Sequence, residues 1–139
     1  MDYIEKIVPI LMLLLAGTVI YQLFLGGNKK SKIERGQKVV FEEKCGGRFD
    51  SYNVSRPLLR HSIYENFVVY AYMGKNYSLE FNEIIKIEKT KGLMSSGIRI
   101  FHASKTVPTK LVLWSKDLNR LIKLYESRIA SGTETKQNS

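Results

Sequence analysis

The sequence predicts a mainly β domain closed by one C-terminal α-helix and preceded by one N-terminal transmembrane helix. Three observations carry this. Residues Ile7 to Leu25 form an uncharged run of nineteen, twelve of them Leu, Ile, Val or Phe. From Lys38 to Trp114, apolar and polar residues alternate with a period of two in short stretches separated by Gly, Pro, Asn and Ser. From Leu118 the period switches: Leu118, Leu121, Ile122, Tyr125 and Ile129 fall on one helical stripe. The chain of 139 residues has room for one domain and an appendage. Its single cysteine excludes a disulfide framework and a multi-cysteine metal site, and its two histidines exclude a histidine-rich cluster.

The first element spans residues 1–27. At about 1.5 Å per residue the uncharged run reaches roughly 28 Å, close to a hydrocarbon core of about 30 Å. Pro9 falls in the first turn, where a missing N–H costs little. Tyr3 and Tyr21 suit the two interfaces. A cleaved signal peptide fits less well. Asp2 and Glu5 outnumber Lys6 at the start, and Phe24-Leu25-Gly26-Gly27 offers no small-x-small cleavage site. Residues 28–37 read as a basic juxtamembrane linker with Lys29, Lys30, Lys32 and Arg35. This excess of cations on the C-terminal flank predicts a single-pass protein with its N-terminus outside and residues 28–139 in the cytoplasm.

The domain is expected over residues 38–131. Strands are predicted at Lys38–Glu42 and Gly47–Val54, with a bulge or bend at Cys45-Gly46-Gly47, and Ser55-Arg56-Pro57 is expected to break the pattern. Leu58–Tyr64 reads as a strand, Glu65-Asn66 as a tight turn, and Phe67–Tyr72 as a β-branched and aromatic strand. Met73-Gly74-Lys75-Asn76 has hairpin-turn chemistry. Alternation then continues through Tyr77–Phe81, Ile85–Glu88, Ile98–Ile100 and Leu111–Trp114, with a loop over Gly92–Gly97. That makes about seven antiparallel strands with an open side, which a terminal helix would cover. Ser115 or Asp117 can cap this helix, and Ser131-Gly132 should end it. Residues 132–139 are expected to be a disordered polar tail. Trp114 is expected to pack under the sheet with Leu118, Leu121, Ile122 and Tyr125.

Over Lys38 to Ala130 this order resembles the pleckstrin-homology (PH)-like superfold in its bacterial PH-like and GRAM-like versions. The likeness is carried by Ser62-Ile63-Tyr64-Glu65-Asn66-Phe67-Val68-Val69, by Tyr77-Ser78-Leu79-Glu80-Phe81-Asn82-Glu83-Ile84, by Gly97-Ile98-Arg99-Ile100, by the strand ending at Trp114 and by the helix from Asp117. The resemblance implies a strongly bent seven-stranded sheet or partly open barrel plugged by the C-terminal helix. Members of the superfold bind phosphoinositides, peptides or other proteins, and the fold does not fix which. Phosphoinositide-binding members use a basic first hairpin loop. The corresponding stretch, placed at Ser55-Arg56-Pro57, holds Arg56 with Arg60 nearby, which carries no lipid specificity over.

No arrangement in the sequence points to catalysis. A nucleophile needs a base in reach and the base an orienting group, yet Cys45, His61 and His102 are scattered over separate strands. Each histidine is expected to be structural. Glu42-Glu43 and the Glu80/Glu83 pair are expected on solvated strand edges. Gly46-Gly47 lacks the Lys-Ser/Thr of a phosphate loop. No cofactor or metal is expected.

Two groups of residues are candidates for contact. Lys29, Lys30, Lys32 and Arg35 would lie beside the bilayer, where an anionic surface contributes about 1 kcal/mol per cation. Lys89, Lys91, Leu93 and Met94 form a loop with basic shoulders and an apolar tip, suited to a headgroup layer or a partner groove. The favoured expectation is that Leu93 and Met94 fold back on the sheet edge. Nucleic acid is disfavoured, since Tyr52, Tyr70, Tyr72 and Tyr77 sit at strand periodicity, where they serve packing. The expected function is therefore a membrane-anchored, non-catalytic binding or scaffold domain. The alternative is an accessory subunit assembled into a larger membrane complex through its helix, where Gly17-Thr18 would allow close packing.

Overall fold

A computed structural model describes residues 2–26, 29–93 and 95–137. The first helix, α1 (Asp2–Gly26), buries none of its apolar window Tyr3–Gln22 against the rest of the chain. It is long and apolar enough to cross a membrane, a test that a signal sequence also passes. Seven strands follow: β1 (Phe41–Phe49), β2 (Tyr52–Ile63), β3 (Phe67–Tyr72), β4 (Lys75–Glu80), β5 (Ile84–Lys91), β6 (Ser96–His102) and β7 (Leu111–Trp114). The chain closes with α2 (Leu118–Gln137).

The strands form one antiparallel sheet in the order β4-β3-β2-β1-β7-β6-β5. This is a curled half-barrel. The sheet bends along β1, whose first half pairs only with β2 and whose second half pairs with both β2 and β7. At the bend, Cys45 faces Leu59 while Gly47 already faces Val54, so β2 carries the surplus residues as a bulge. The irregularity expected at Cys45-Gly46-Gly47 falls at this register shift, but β1 runs unbroken through it and the extra residues lie on β2. The interruption expected at Ser55-Arg56-Pro57 is instead part of a continuous β2, because the bulge absorbs the proline without ending the strand. The first hairpin turn accordingly lies at Asp50-Ser51, with Asp50 at φ 51°, and not at Ser55-Arg56-Pro57. Met73 and Gly74 form the β3–β4 turn, both with positive φ, as two-residue hairpins of this hand require.

Leu121 and Tyr125 of α2 are fully buried in the main core with Leu59, Ile63, Tyr70, Leu79, Ile98, Ile100, Leu111 and Leu113. Leu118, Ile122 and Ile129 pack at its margin. Trp114 does not join them. Leu111 and Leu113 occupy the inner positions of β7, so Trp114 falls on the outer side. There a Cβ on Gly97 would stand 2.8 Å from the indole and 2.1 Å from the carbonyl oxygen of Leu113. Only glycine allows that approach.

The helix also runs past Ser131-Gly132, the expected stop, to Gln137. Gly132 lacks the positive φ of a helix-ending glycine, so the chain continues in helix through it. Residues 132–137 are therefore helical where a disordered tail was expected; 138–139 lie outside the described residues.

Candidate functional site

Every residue of β3 is buried, so both faces of the sheet are covered there. Val68, Tyr70 and Tyr72 belong to the main core on the inner face. Phe67 and Val69 join Tyr64 in a second apolar cluster on the outer face. Beside that outer cluster lies the segment read from sequence as a linker. Residues Lys32–Glu34 form a short 3-10 helix whose Glu34 is only 1% exposed.

The Glu34 carboxylate is bound from every side. It accepts from the Ser31 N–H at 2.6 Å and the Ser31 hydroxyl at 2.9 Å. Arg60 on β2 grips it with two nitrogens, at 2.5 and 3.0 Å, the fork geometry that suits guanidinium and carboxylate. The Tyr64 hydroxyl donates to it at 2.9 Å. Arg60 also donates to the Ser62 hydroxyl at 2.8 Å, and Ser62 donates to Glu42 at 2.7 Å. The carbonyl of Lys29 lies 3.5 Å from the same guanidinium. Burial alone would raise the Glu34 pKa. The bonds from Arg60, Ser31 and Tyr64 outweigh it and hold the carboxyl at about 2. Burial and the Glu34 charge push the Tyr64 phenol up to about 12.

A second polar chain runs on the inner face. Glu43 and His61 lie one step along β1 and β2 from Glu42 and Arg60, and Tyr70 of β3 joins them. The Ser115 hydroxyl donates to Glu43 at 2.8 Å, and His61 Nδ1 lies 3.4 Å from the other carboxylate oxygen. His61 Nε2 is 2.9 Å from the Tyr125 hydroxyl, which is 2.7 Å from that of Tyr70. One direction gives each proton an acceptor: Tyr70 donates to Tyr125, Tyr125 to His61 Nε2, and His61 Nδ1–H to Glu43. Burial lowers the His61 pKa against the opposing pull of Glu43, which favours the neutral ring this direction requires. For Glu43 burial acts upward, but the bonds from His61 and Ser115 leave its pKa lowered. Burial raises Tyr70 and Tyr125. The reading of His61 as structural agrees with this chain. The reading of Glu43 as a solvated edge residue does not, because β1 turns it inward beneath α2. His102 is held separately, its Nε2–H donating to the Pro108 carbonyl at 2.9 Å.

The candidate contact residues fall in two places. Lys29, Lys30, Lys32 and Arg35 are all exposed, arranged around the buried Glu34. Lys89 and Lys91 are exposed near the end of β5, the last strand of the sheet order. Leu93 is fully exposed at the tip of the β5–β6 hairpin, which Gly92 N–H closes by donating to the Ser95 carbonyl at 2.7 Å. That tight closure turns Leu93 outward and corrects the expectation that it folds back. Met94 lies outside the described residues. Glu80 and Glu83, read as strand-edge acids, are the N-cap and the last residue of the 3-10 helix Phe81–Glu83, where the Glu83 carboxylate accepts from the Glu80 N–H at 3.1 Å. An open groove of about 800 Å³ adjoins the docked strap of residues 29–37, bounded by Ile33, Asn66, Glu80, Asn82, Arg128 and Gly132.

The docking of residues 29–37 was missed from sequence. Its available signal was one acid inside a basic run, three residues after a serine: Ser31-x-x-Glu34, the pattern of a capping box.

No family model matches the chain. No curated protein matches it in sequence. Among solved structures, it is similar to the C-terminal domain of an unknown protein from Leishmania infantum, with a TM-score of 0.58, 15% identity, and coverage of 80% of this chain and 98% of that one. That likeness shows the fold alone.

Proposed function

We propose that this chain is a single-pass membrane protein whose PH-like domain is a non-catalytic binding module working at the bilayer surface. The observation that supports it best is continuity: an unburied apolar helix ends at Gly26, and three residues later a cationic segment begins that is docked on the domain. The order of seven strands and a closing helix supports the PH-like reading. The non-catalytic reading rests on how the polar groups are used. Glu34, Glu43, Arg60 and His61 are engaged with one another and with hydroxyls inside the fold. In this reading the N-terminus lies outside and the domain in the cytoplasm, facing anionic lipid.

Labelling with an impermeant maleimide tests the topology. Cys45 gives little background, since it is fully buried and burial raises its thiol pKa. With Ser139→Cys, labelling is expected only after the cells are permeabilised, and the chain is expected to resist alkaline carbonate extraction. Labelling of intact cells, or release by carbonate, overturns the reading. A second reading, assembly with a membrane partner through the helix, draws on Gly17-Thr18, small residues that allow close helix packing. It requires a stoichiometric membrane protein to co-purify in mild detergent.

A further inference from the structure

We propose that the Glu34–Arg60 pair is a latch that fastens the juxtamembrane segment to the outer face of the sheet, so that Lys29, Lys30, Lys32 and Arg35 form a fixed cationic array for the anionic phospholipid headgroups beside α1. This rests on the membrane reading above for its partner, but the latch itself stands on the geometry alone.

The argument starts from the tether. An unstructured segment from Gly26 to Phe41 would let the domain sample a wide volume below the bilayer. Docking from Lys29, whose carbonyl meets Arg60, leaves only residues 27 and 28 between helix and domain, a reach of roughly 7 Å even when fully extended. The segment's one acid is turned inward, where a buried guanidinium, a phenol and a hydroxyl hold it. Its four cations are exposed around that anchor. A flexible basic linker must lose conformational freedom when it settles on a charged surface. A docked one has already lost it, and therefore binds the same surface more tightly for the same charges. Each cation near an anionic leaflet adds to the attraction. Within an aqueous Debye length of about 8 Å, four held in place act together.

The test uses the full chain in nanodiscs of phosphatidylcholine alone and of phosphatidylcholine with phosphatidylglycerol, followed by hydrogen exchange of residues 29–37. The amides of Ser31, Glu34, Arg35 and Gln37 are donors in the docked segment. They should exchange roughly tenfold or more slower than in the isolated peptide, even without anionic lipid. Glu34→Gln should abolish most of that protection while β3 stays protected. Should Glu34→Gln disrupt β3 as well, Tyr64→Phe removes one donor to Glu34 and keeps the ring; it should raise exchange in the segment by a smaller factor. Phosphatidylglycerol should slow exchange further in the wild type, and high salt should reverse that increment. Free-peptide exchange in the wild type, or protection unchanged by both substitutions, overturns the latch. Protection that is identical in the two lipid compositions overturns the lipid array and leaves the latch standing. A chain that fails to enter nanodiscs at all refutes the membrane reading instead, and its segment can still be measured in solution.

Discussion

The two polar clusters grow from neighbouring residues of the same two strands, yet they are built on different chemistry. On the outer face Arg60, Ser62 and Glu42 meet Glu34 of the strap; on the inner face His61 and Glu43 meet Tyr125 and Ser115 from the other end of the chain. The outer cluster centres on a full ion pair out of water, the inner one on a neutral ring and hydroxyls around a single carboxylate. The outer fastens a segment 26 residues away; the inner fastens β2 to a helix 64 residues away. The difference teaches where each is vulnerable. Removing half of a buried ion pair strands a charge, whereas a chain of neutral donors loses one bond at a time.

The largest effect should come from breaking the outer pair on one side. Arg60→Ala leaves Glu34 buried and without its guanidinium. Chemical denaturation of the full chain in detergent should show a loss of about 3–5 kcal/mol, and Arg60→Met together with Glu34→Met should recover most of it. A double variant as unstable as the single one would mean the pair acts through packing and not through charge.

Acid should separate the clusters next. Glu34 titrates at about 2 in the fold and near 4.5 when unfolded. Its contribution, about 3 kcal/mol at most, is complete above 4.5 and lost as pH falls toward 2. His61 acts in the same direction but earlier. Its lowered folded pKa makes the unfolded chain take up a proton first, so stability begins to fall below about 6.5. Glu43, also lowered, adds to the loss below 4.5. Denaturation midpoints between pH 7.5 and 3 should decline in two stages, and His61→Gln should remove the first. A single stage below pH 5 in the wild type would contradict a neutral, buried His61.

The smallest effect should come from the inner chain. Tyr125→Phe keeps the ring between His61 and Phe81 but takes the donor from His61 Nε2 and the acceptor from Tyr70. A loss of about 1–3 kcal/mol is expected in the same denaturation assay. A loss as large as that of Arg60→Ala would erase the distinction between the two faces.

The inner architecture was legible in sequence and the outer was not, for a physical reason. Strand alternation and the stripe Leu121–Tyr125 announce a core because burying apolar surface needs many residues at one spacing. The strap is announced by one residue. Glu34 sits in a run whose cations read as solvated, and Arg60, its partner, lies where the strand pattern predicts an outward, exposed position. It is outward, but covered. Trp114 went astray for a related reason: a large aromatic at a strand end suggests core, whereas its seat is made by Gly97, whose contribution is the side chain it lacks. Glu43 shows the converse: expected at a solvated edge because it is an acid, it shares the inward side of β1 with Phe41 and Cys45.

The seam between β1 and β7 has a consequence in time. It joins Gly46–Phe49 to Leu111–Trp114 and is the pairing that unites the first four strands with the last three. While the chain is being synthesised, β1 to β4 can form hairpins as soon as they emerge, but the half-barrel cannot close until residue 114 is free of the ribosome. By then α1 has long emerged. Closure is thus a late, long-range event. Trp114, the only tryptophan in the protein, lies on that seam, so its fluorescence serves as a clock for the closing step.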